Sequence, residues 1–248
     1  MNTNAITFNL YEIDKNLQVQ NGDLIAICGR PAIGKTALAL TLIFNNLDGA
    51  DDKRCLLVSF DAGNTELTAK FDAFFMEKKP NFNEDYLPCA GIINWLFEER
   101  LIIETTVLTP VNKLCQLIKK LAKANKIDFV VIDYLQLMIG SKKHNTHQEE
   151  IHEIVSTLKE TAKDTNLPII ITSQVPRLNT EATPKNIFPN NDFSSIIDKF
   201  IILQDLITEE PLSNSNIPPV DIDIYNNKSS AISTQIGFNT TTFKFVNI

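Results

Sequence analysis

The chain has 248 residues, is 44% hydrophobic and 21% charged, and carries a formal charge of −7. That is enough apolar material for one sizeable core, and the acidic balance argues against a protein that holds nucleic acid by general basicity, so any such contact must come from a local basic patch. There is no apolar run of bilayer-spanning length and no signal-like layout at the N-terminus, and Cys28, Cys55, Cys89 and Cys115 form no CxxC pair, which together predict a cytoplasmic protein with reduced thiols.

In chain order, residues 23–28 are a short apolar run entering a Gly/Pro turn, which predicts a buried strand. Residues 35–46 place Leu38, Leu42 and Ile43 at helical spacing. Residues 54–60 predict a second buried strand, and 65–78 an amphipathic helix. Residues 80–99 are irregular, with one apolar cluster around Trp95 to which no chemistry is assigned. Residues 101–108 are β-rich, and Pro110 opens a helix reaching about residue 125. Residues 128–133 form a fully apolar strand between two aspartates, followed by a polar loop at 140–146 and a long helix at 148–165. Residues 168–172 predict another buried strand, and 179–193 a loop rich in Asn, Pro and Thr. The tail gives strand-like runs at 199–203, 220–225, 230–238 and 241–246.

Strands alternate with helices over the first two-thirds, which predicts a mostly parallel α/β sheet with helices on both faces. The antiparallel-looking tail would extend one edge. The organisation expected is a single domain over 1–248, with an N-terminal extension at 1–16, a flexible connector at 205–219 and C-terminal β-strands at 220–248.

The pattern G-x-x-x-x-G-K-[ST] falls at Gly29, Gly34, Lys35 and Thr36, within the stretch Gly29, Arg30, Pro31, Ala32, Ile33, Gly34, Lys35, Thr36 and Ala37. Glycines let the backbone curl so that its N–H groups converge on phosphate oxygens, and the start of the next helix adds its positive end. Lys35 supplies a charge for the β- and γ-phosphates, and Thr36 offers a hydroxyl to magnesium. A buried strand precedes the loop and a helix follows it, the context the motif requires. ATP and Mg2+ are the ligands expected. Asp133, closing its buried strand, fits the carboxylate that holds the magnesium through water.

Four motifs in order resemble the DnaB-type replicative helicases, a branch of the RecA-like P-loop ATPases. These are GRPAIGKTALAL, the run FVVIDYLQLM at 129–138, the run LPIIITSQVPR at 167–177, and the closing GFNTTTFKFVN at 237–247. The likeness runs from about residue 17 to the C-terminus. It implies a RecA-like core and an ATP-driven DNA helicase or translocase domain that assembles as a homo-oligomer, a hexameric ring in the family. It also implies that Gln174 senses the γ-phosphate. The motif Tyr134-Leu135-Gln136-Leu137 favours this branch over RecA-like kinases and clock-type ATPases.

Two departures stand out. The family's catalytic glutamate after the second strand is matched by Asp61, one methylene shorter, in Ser59-Phe60-Asp61-Ala62. The family's late Lys-x-Arg-x-Gly segment, which reaches a neighbour's γ-phosphate, is matched by Tyr225-Asn226-Asn227-Lys228-Ser229, where Lys228 is the available cation and no arginine is present. Lysine is a poorer fork for phosphate than arginine. These departures predict ATP binding with slow turnover. They also motivate an alternative function, a non-unwinding ATP-binding module that regulates or loads a replication or mobile-element complex. The family's DNA-facing loop corresponds to 140–146, so Lys142 and Lys143 are the residues expected to touch single-stranded DNA, although two lysines in a polar turn are also what a solvated surface shows.

Overall fold

The computed structural model describes residues 5–48, 53–60, 67, 70–71, 100–105, 109–175, 183–184, 193–204, 217–226 and 231–248. The strands named below form one nine-stranded sheet, in the order β3-β2-β4-β5-β1-β6-β7-β8-β9. They are β1 (Leu24–Gly29), β2 (Cys55–Ser59), β3 (Leu101–Glu104), β4 (Phe129–Asp133), β5 (Ile169–Gln174), β6 (Lys199–Leu203), β7 (Pro219–Asn226), β8 (Ile232–Asn239) and β9 (Lys244–Val246). The pairings from β3 across to β6 are parallel, and those from β6 to β9 antiparallel. The helices are α1 (Tyr11–Leu17), α2 (Lys35–Leu47), α3 (Val111–Lys123), α4 (His147–Thr165) and a short α5 (Phe193–Ile196), with a 3-10 turn at Leu135–Leu137.

The parallel strands inside the sheet, β1, β2, β4 and β5, are apolar at consecutive positions because both faces are covered. Side chains alternate between the faces. In β1, Leu24, Ala26 and Cys28 join α3 and α4 in one buried cluster, while Ile25 and Ile27 join α1, α2 and the tail in the other. Helix α4 starts at the Thr146-x-x-Glu149 pattern of a capping box: Thr146 accepts from the Glu149 N–H at 3.2 Å, while the Glu149 carboxylate reaches one residue further back and accepts from the Asn145 N–H at 3.0 Å. It ends at Asn166 in the left-handed region, φ 54°.

Two parts differ from the sequence reading. The run at 199–203 is not the start of the antiparallel tail; as β6 it pairs parallel with β1. Its residues are buried throughout, as a strand with neighbours on both sides requires, and the antiparallel extension begins with β7. Residues 5–16, read as part of an extension, lie against the core. Ile6, Phe8, Leu10 and Ile13 are buried, and the Asp14 carboxylate ties the turn by accepting from Thr7 Oγ1 and the Phe8 N–H, both at 2.7 Å. The apolar residues there are too irregularly spaced over 6–13 to announce a packed segment. The helix expected at 65–78 is described only at Leu67, Lys70 and Phe71, which are helical. Trp95, Cys89, nearly all of the 179–193 loop and most of the 205–219 connector lie outside the described residues.

Candidate nucleotide site

Parallel strands bring their C-terminal ends to one edge, so β1, β4 and β5 deliver Gly29, Asp133 and Gln174 to the same side of the sheet. Register makes this specific: Gly29 pairs with Gln174, and Ser59 of β2 with Asp133. The chain leaves β1 through a tight turn into α2, whose N-cap is Gly34 at φ 105°. Only glycine takes that conformation readily. A Cβ at Gly34 would stand 3.2 Å from the Phe245 ring, and one at Gly29 2.7 Å from Ile33 Cγ2 and 3.1 Å from the Leu203 carbonyl oxygen. Both glycines are therefore demanded by close approach as well as by the motif.

Arg30, Pro31 and Ala32 form the exposed crest of the loop, with Ala32 at φ 60°. Ile33 and Ala37 are partly buried and pack against the core, anchoring the two ends of the turn. Lys35 folds back so that Nζ donates to the Arg30 carbonyl oxygen at 2.7 Å, across the mouth of the loop. Burial holds the Lys35 ammonium below its ordinary pKa, and the Asp133 charge partly restores it.

Thr36 Oγ1 donates to Asp133 Oδ2 at 2.8 Å, linking the first turn of α2 to the end of β4. The other Asp133 oxygen accepts from Thr172 Oγ1 of β5, a buried hydroxyl that the motif reading does not single out. Thr172 lies two residues before Gln174, on the strand's own alternation, and only the pairing of β4 with β5 reveals its role. Ser59 Oγ, in the Asp133 row, is buried with no hydrogen-bond partner among the described residues. A magnesium ion suits this set: a hydroxyl and a carboxylate sit together at the mouth of a glycine-shaped, N–H-lined turn, and hard cations prefer oxygen donors.

Gln174 is the exposed last residue of β5, beside Gly29. Its backbone is held by Gln136, another residue the motif reading leaves without a role. Lys142 and Lys143 are exposed on the loop that follows, some distance in sequence from the phosphate turn. That loop is fastened to α4 by carboxylates. Glu150 accepts from the Gly140 N–H at 3.0 Å, and Glu153 accepts from the Ser141 N–H and pairs with His144. His147 pairs with Glu150 at 3.5 Å. Asp61 and Lys228 lie outside the described residues. Cys28, Cys55 and Cys115 are buried thiols, and burial pushes Cys28 up to about 12. No helix among the described residues is long and apolar enough to cross a membrane.

The family model for the DnaB-like helicase C-terminal domain matches residues 5–187. The replicative DNA helicase DnaB of Rickettsia typhi is 29% identical over 190 residues, which cover 70% of this chain and 38% of that protein. The chain thus spans well under half the length of that curated relative. Among solved structures, an isolated ATPase domain superposes with a TM-score of 0.81 at 20% identity, covering 98% of this chain and 91% of that one. A DnaB-like replicative helicase, solved in a study of its interactions with primase, superposes with a TM-score of 0.79 at 21% identity, covering 98% and 63%. Those two likenesses concern the RecA-like fold.

Proposed function

This chain belongs to the DnaB-like helicase C-terminal domain family, and on that premise we propose that it is an ATP-driven motor domain acting on DNA in replication. The observation that carries the reading is the convergence of Lys35, Thr36, Asp133 and Gln174 at one sheet edge, with Thr36 and Asp133 in direct contact. In this reading backbone N–H groups of the Gly29–Ala37 turn, Pro31 having none, cradle the phosphates of ATP. Lys35 leaves the Arg30 carbonyl to meet the β- and γ-phosphates. Thr36 and Asp133 hold Mg2+, which when bound neutralises charge on the phosphate oxygens. Asp61 orients and deprotonates the attacking water, and Gln174 registers the γ-phosphate. Lys142 and Lys143 meet the single-stranded DNA backbone, in a homo-oligomer where Lys228 faces the neighbour's nucleotide. The protein works in the cytoplasm. The family match gives the regulatory alternative no comparable support.

The test is ATP turnover with and without single-stranded DNA, run beside a mass measurement of the assembly. Turnover that rises with DNA in an assembled species supports the motor. A chain that binds no nucleotide, or turns it over indifferently to DNA when assembled, rejects it. Asp61→Glu and Lys228→Arg, measured singly and together, should raise the rate if the two departures limit it.

A further inference from the structure

We infer that Gln136 is a positioning residue: its carboxamide replaces a missing strand partner for Gln174, and so ties the phosphate-facing end of β5 to the segment leading into the 140–146 loop. The inference rests on the reading of Gln174 as the γ-phosphate sensor.

The ladder between β4 and β5 runs from Val130–Ile169 to Ile132–Ile171 and then lapses, because β4 ends at Asp133 and the chain turns away into Leu135–Leu137. β5 continues to Gln174. On its other side it stays paired, with Gly29 opposite Gln174. The Ile169 N–H bonds to the Asp23 carbonyl and the Val175 N–H to the Gly29 carbonyl, so odd-numbered residues face β1. By alternation the Gln174 N–H and C=O face the side that β4 has vacated. An unpaired backbone there would be free to shift.

Gln136 fills that place. Its Oε1 accepts from the Gln174 N–H at 3.2 Å, and its Nε2 donates to the Gln174 carbonyl at 3.0 Å. The same Nε2 donates to Ser173 Oγ at 3.0 Å. A carboxamide can do this because it carries a donor and an acceptor side by side, as a peptide unit does. The orientation is fixed by the network, since a flipped amide would set NH2 against N–H. Gln136 sits within the 3-10 turn, a few residues before Gly140, where Glu150 of α4 takes over the backbone. A shift of Gln174 toward a γ-phosphate is therefore transmitted through one side chain to the start of the loop that carries Lys142 and Lys143.

The experiment compares the full chain with Gln136→Met, which keeps length but loses every hydrogen bond, Gln136→Glu, which keeps an acceptor and loses the donor, and Gln174→Ala. Three quantities are read: affinity for a non-hydrolysable ATP analogue with magnesium, kcat against KM with and without single-stranded DNA, and amide exchange at residues 173–175. In the two Gln136 variants affinity should stay within about two-fold, because the phosphate turn is untouched. Both Gln136 variants should lower DNA-stimulated kcat by ~10- to 100-fold, the scale of a misplaced active-site group, with KM little changed. The Gln174 amide should exchange faster in Gln136→Met, while Gln136→Glu, which keeps the acceptor for that N–H and loses only the donor to the Gln174 carbonyl, should leave its exchange close to wild type. Combining Gln136→Met with Gln174→Ala should add little, as expected of two residues acting as one unit. If Gln174→Ala loses stimulation while Gln136→Met keeps it, the positioning role is wrong and the sensor reading stands. If Gln174→Ala keeps full stimulation, the sensor reading fails and the relay fails with it. Should turnover be too slow to measure, unchanged exchange at Gln174 in Gln136→Met overturns the inference by itself.

Discussion

The phosphate turn and the 140–146 loop both follow a buried parallel strand, yet they are held by different means. The first is shaped by backbone. Gly34 sits at φ 105° under the Phe245 ring, Gly29 has no room for a Cβ, and even Lys35 rests on a main-chain carbonyl. The second is shaped by side chains of one helix, with Glu149, Glu150 and Glu153 of α4 receiving its N–H groups. A turn set by sterics presents the same row of donors under all solvent conditions, which suits a ligand as invariant as a triphosphate. A loop set by carboxylates depends on their charge, and leaves its own cations, Lys142 and Lys143, turned outward.

The largest effects should come from breaking the first region. Lys35→Ala should weaken magnesium–ATP binding by about 100-fold or more, the usual scale for deleting one partner of a desolvated charge pair. Its thermal midpoint should stay near wild type, because a partly buried ammonium adds little to folding. Calorimetry beside a melting curve separates the two. Binding at wild-type affinity would mean that the turn is not the site. Gly34→Ala should lose stability as well as affinity, adding about 1–3 kcal/mol of backbone strain and lowering midpoint and affinity together. Thr172→Val comes next. It leaves a buried Asp133 oxygen without its donor, at a cost of about 1–3 kcal/mol, and should shift the magnesium concentration needed for ATP binding. An unchanged magnesium dependence would mean that Thr172 merely fills space.

How far the sequence discloses these regions follows from the same contrast. Backbone-determined features leave compositional marks: two glycines at a fixed interval, a lysine and a threonine, flanked by a buried strand and a helix. Gly29, Gly34, Lys35, Thr36 and Asp133 could be read together for that reason, as could the parallel sheet. Features made by pairing leave none. Thr172 and Gln136 matter because β4 stops where β5 continues, and neither residue type nor spacing announces that. The membership of β6 in the parallel sheet was equally hidden, because a buried apolar run reads alike in either direction. Residues 5–16 read as an extension because their burial depends on Asp14 closing a turn that packs onto α2 and the C-terminal strands.

A smaller effect concerns what the second loop carries. Lys142→Ala with Lys143→Ala should remove most of a weak affinity for single-stranded DNA. The slope of log affinity against log salt should fall by up to about 1.4, at about 0.7 per phosphate contact. Titrations of a fluorescent oligonucleotide across a salt series check this. Tight binding that survives both high salt and the double substitution would place the nucleic-acid contact elsewhere.

The smallest effect tests whether carboxylates shape that loop at all. Burial pushes the Glu153 carboxyl up, but bonds from Ser141 and His144 outweigh it and hold the group below its ordinary range. The folded group therefore titrates below the unfolded one, which titrates near ~4.3. Its contribution to the loop is fully present above that value and is lost as pH falls through the lower folded pKa. His144, His147, Glu149 and Glu150 surround the same turn, so the assignment to Glu153 needs a variant as well as a pH series. Glu153→Gln keeps an acceptor and removes the charge. It should speed amide exchange at Ser141 several-fold at neutral pH and flatten its acid dependence, while Gly34 and its neighbours stay unchanged. If the Ser141 amide exchanges at the same rate in both proteins, the loop is held by its own backbone, and the contrast with the phosphate turn disappears.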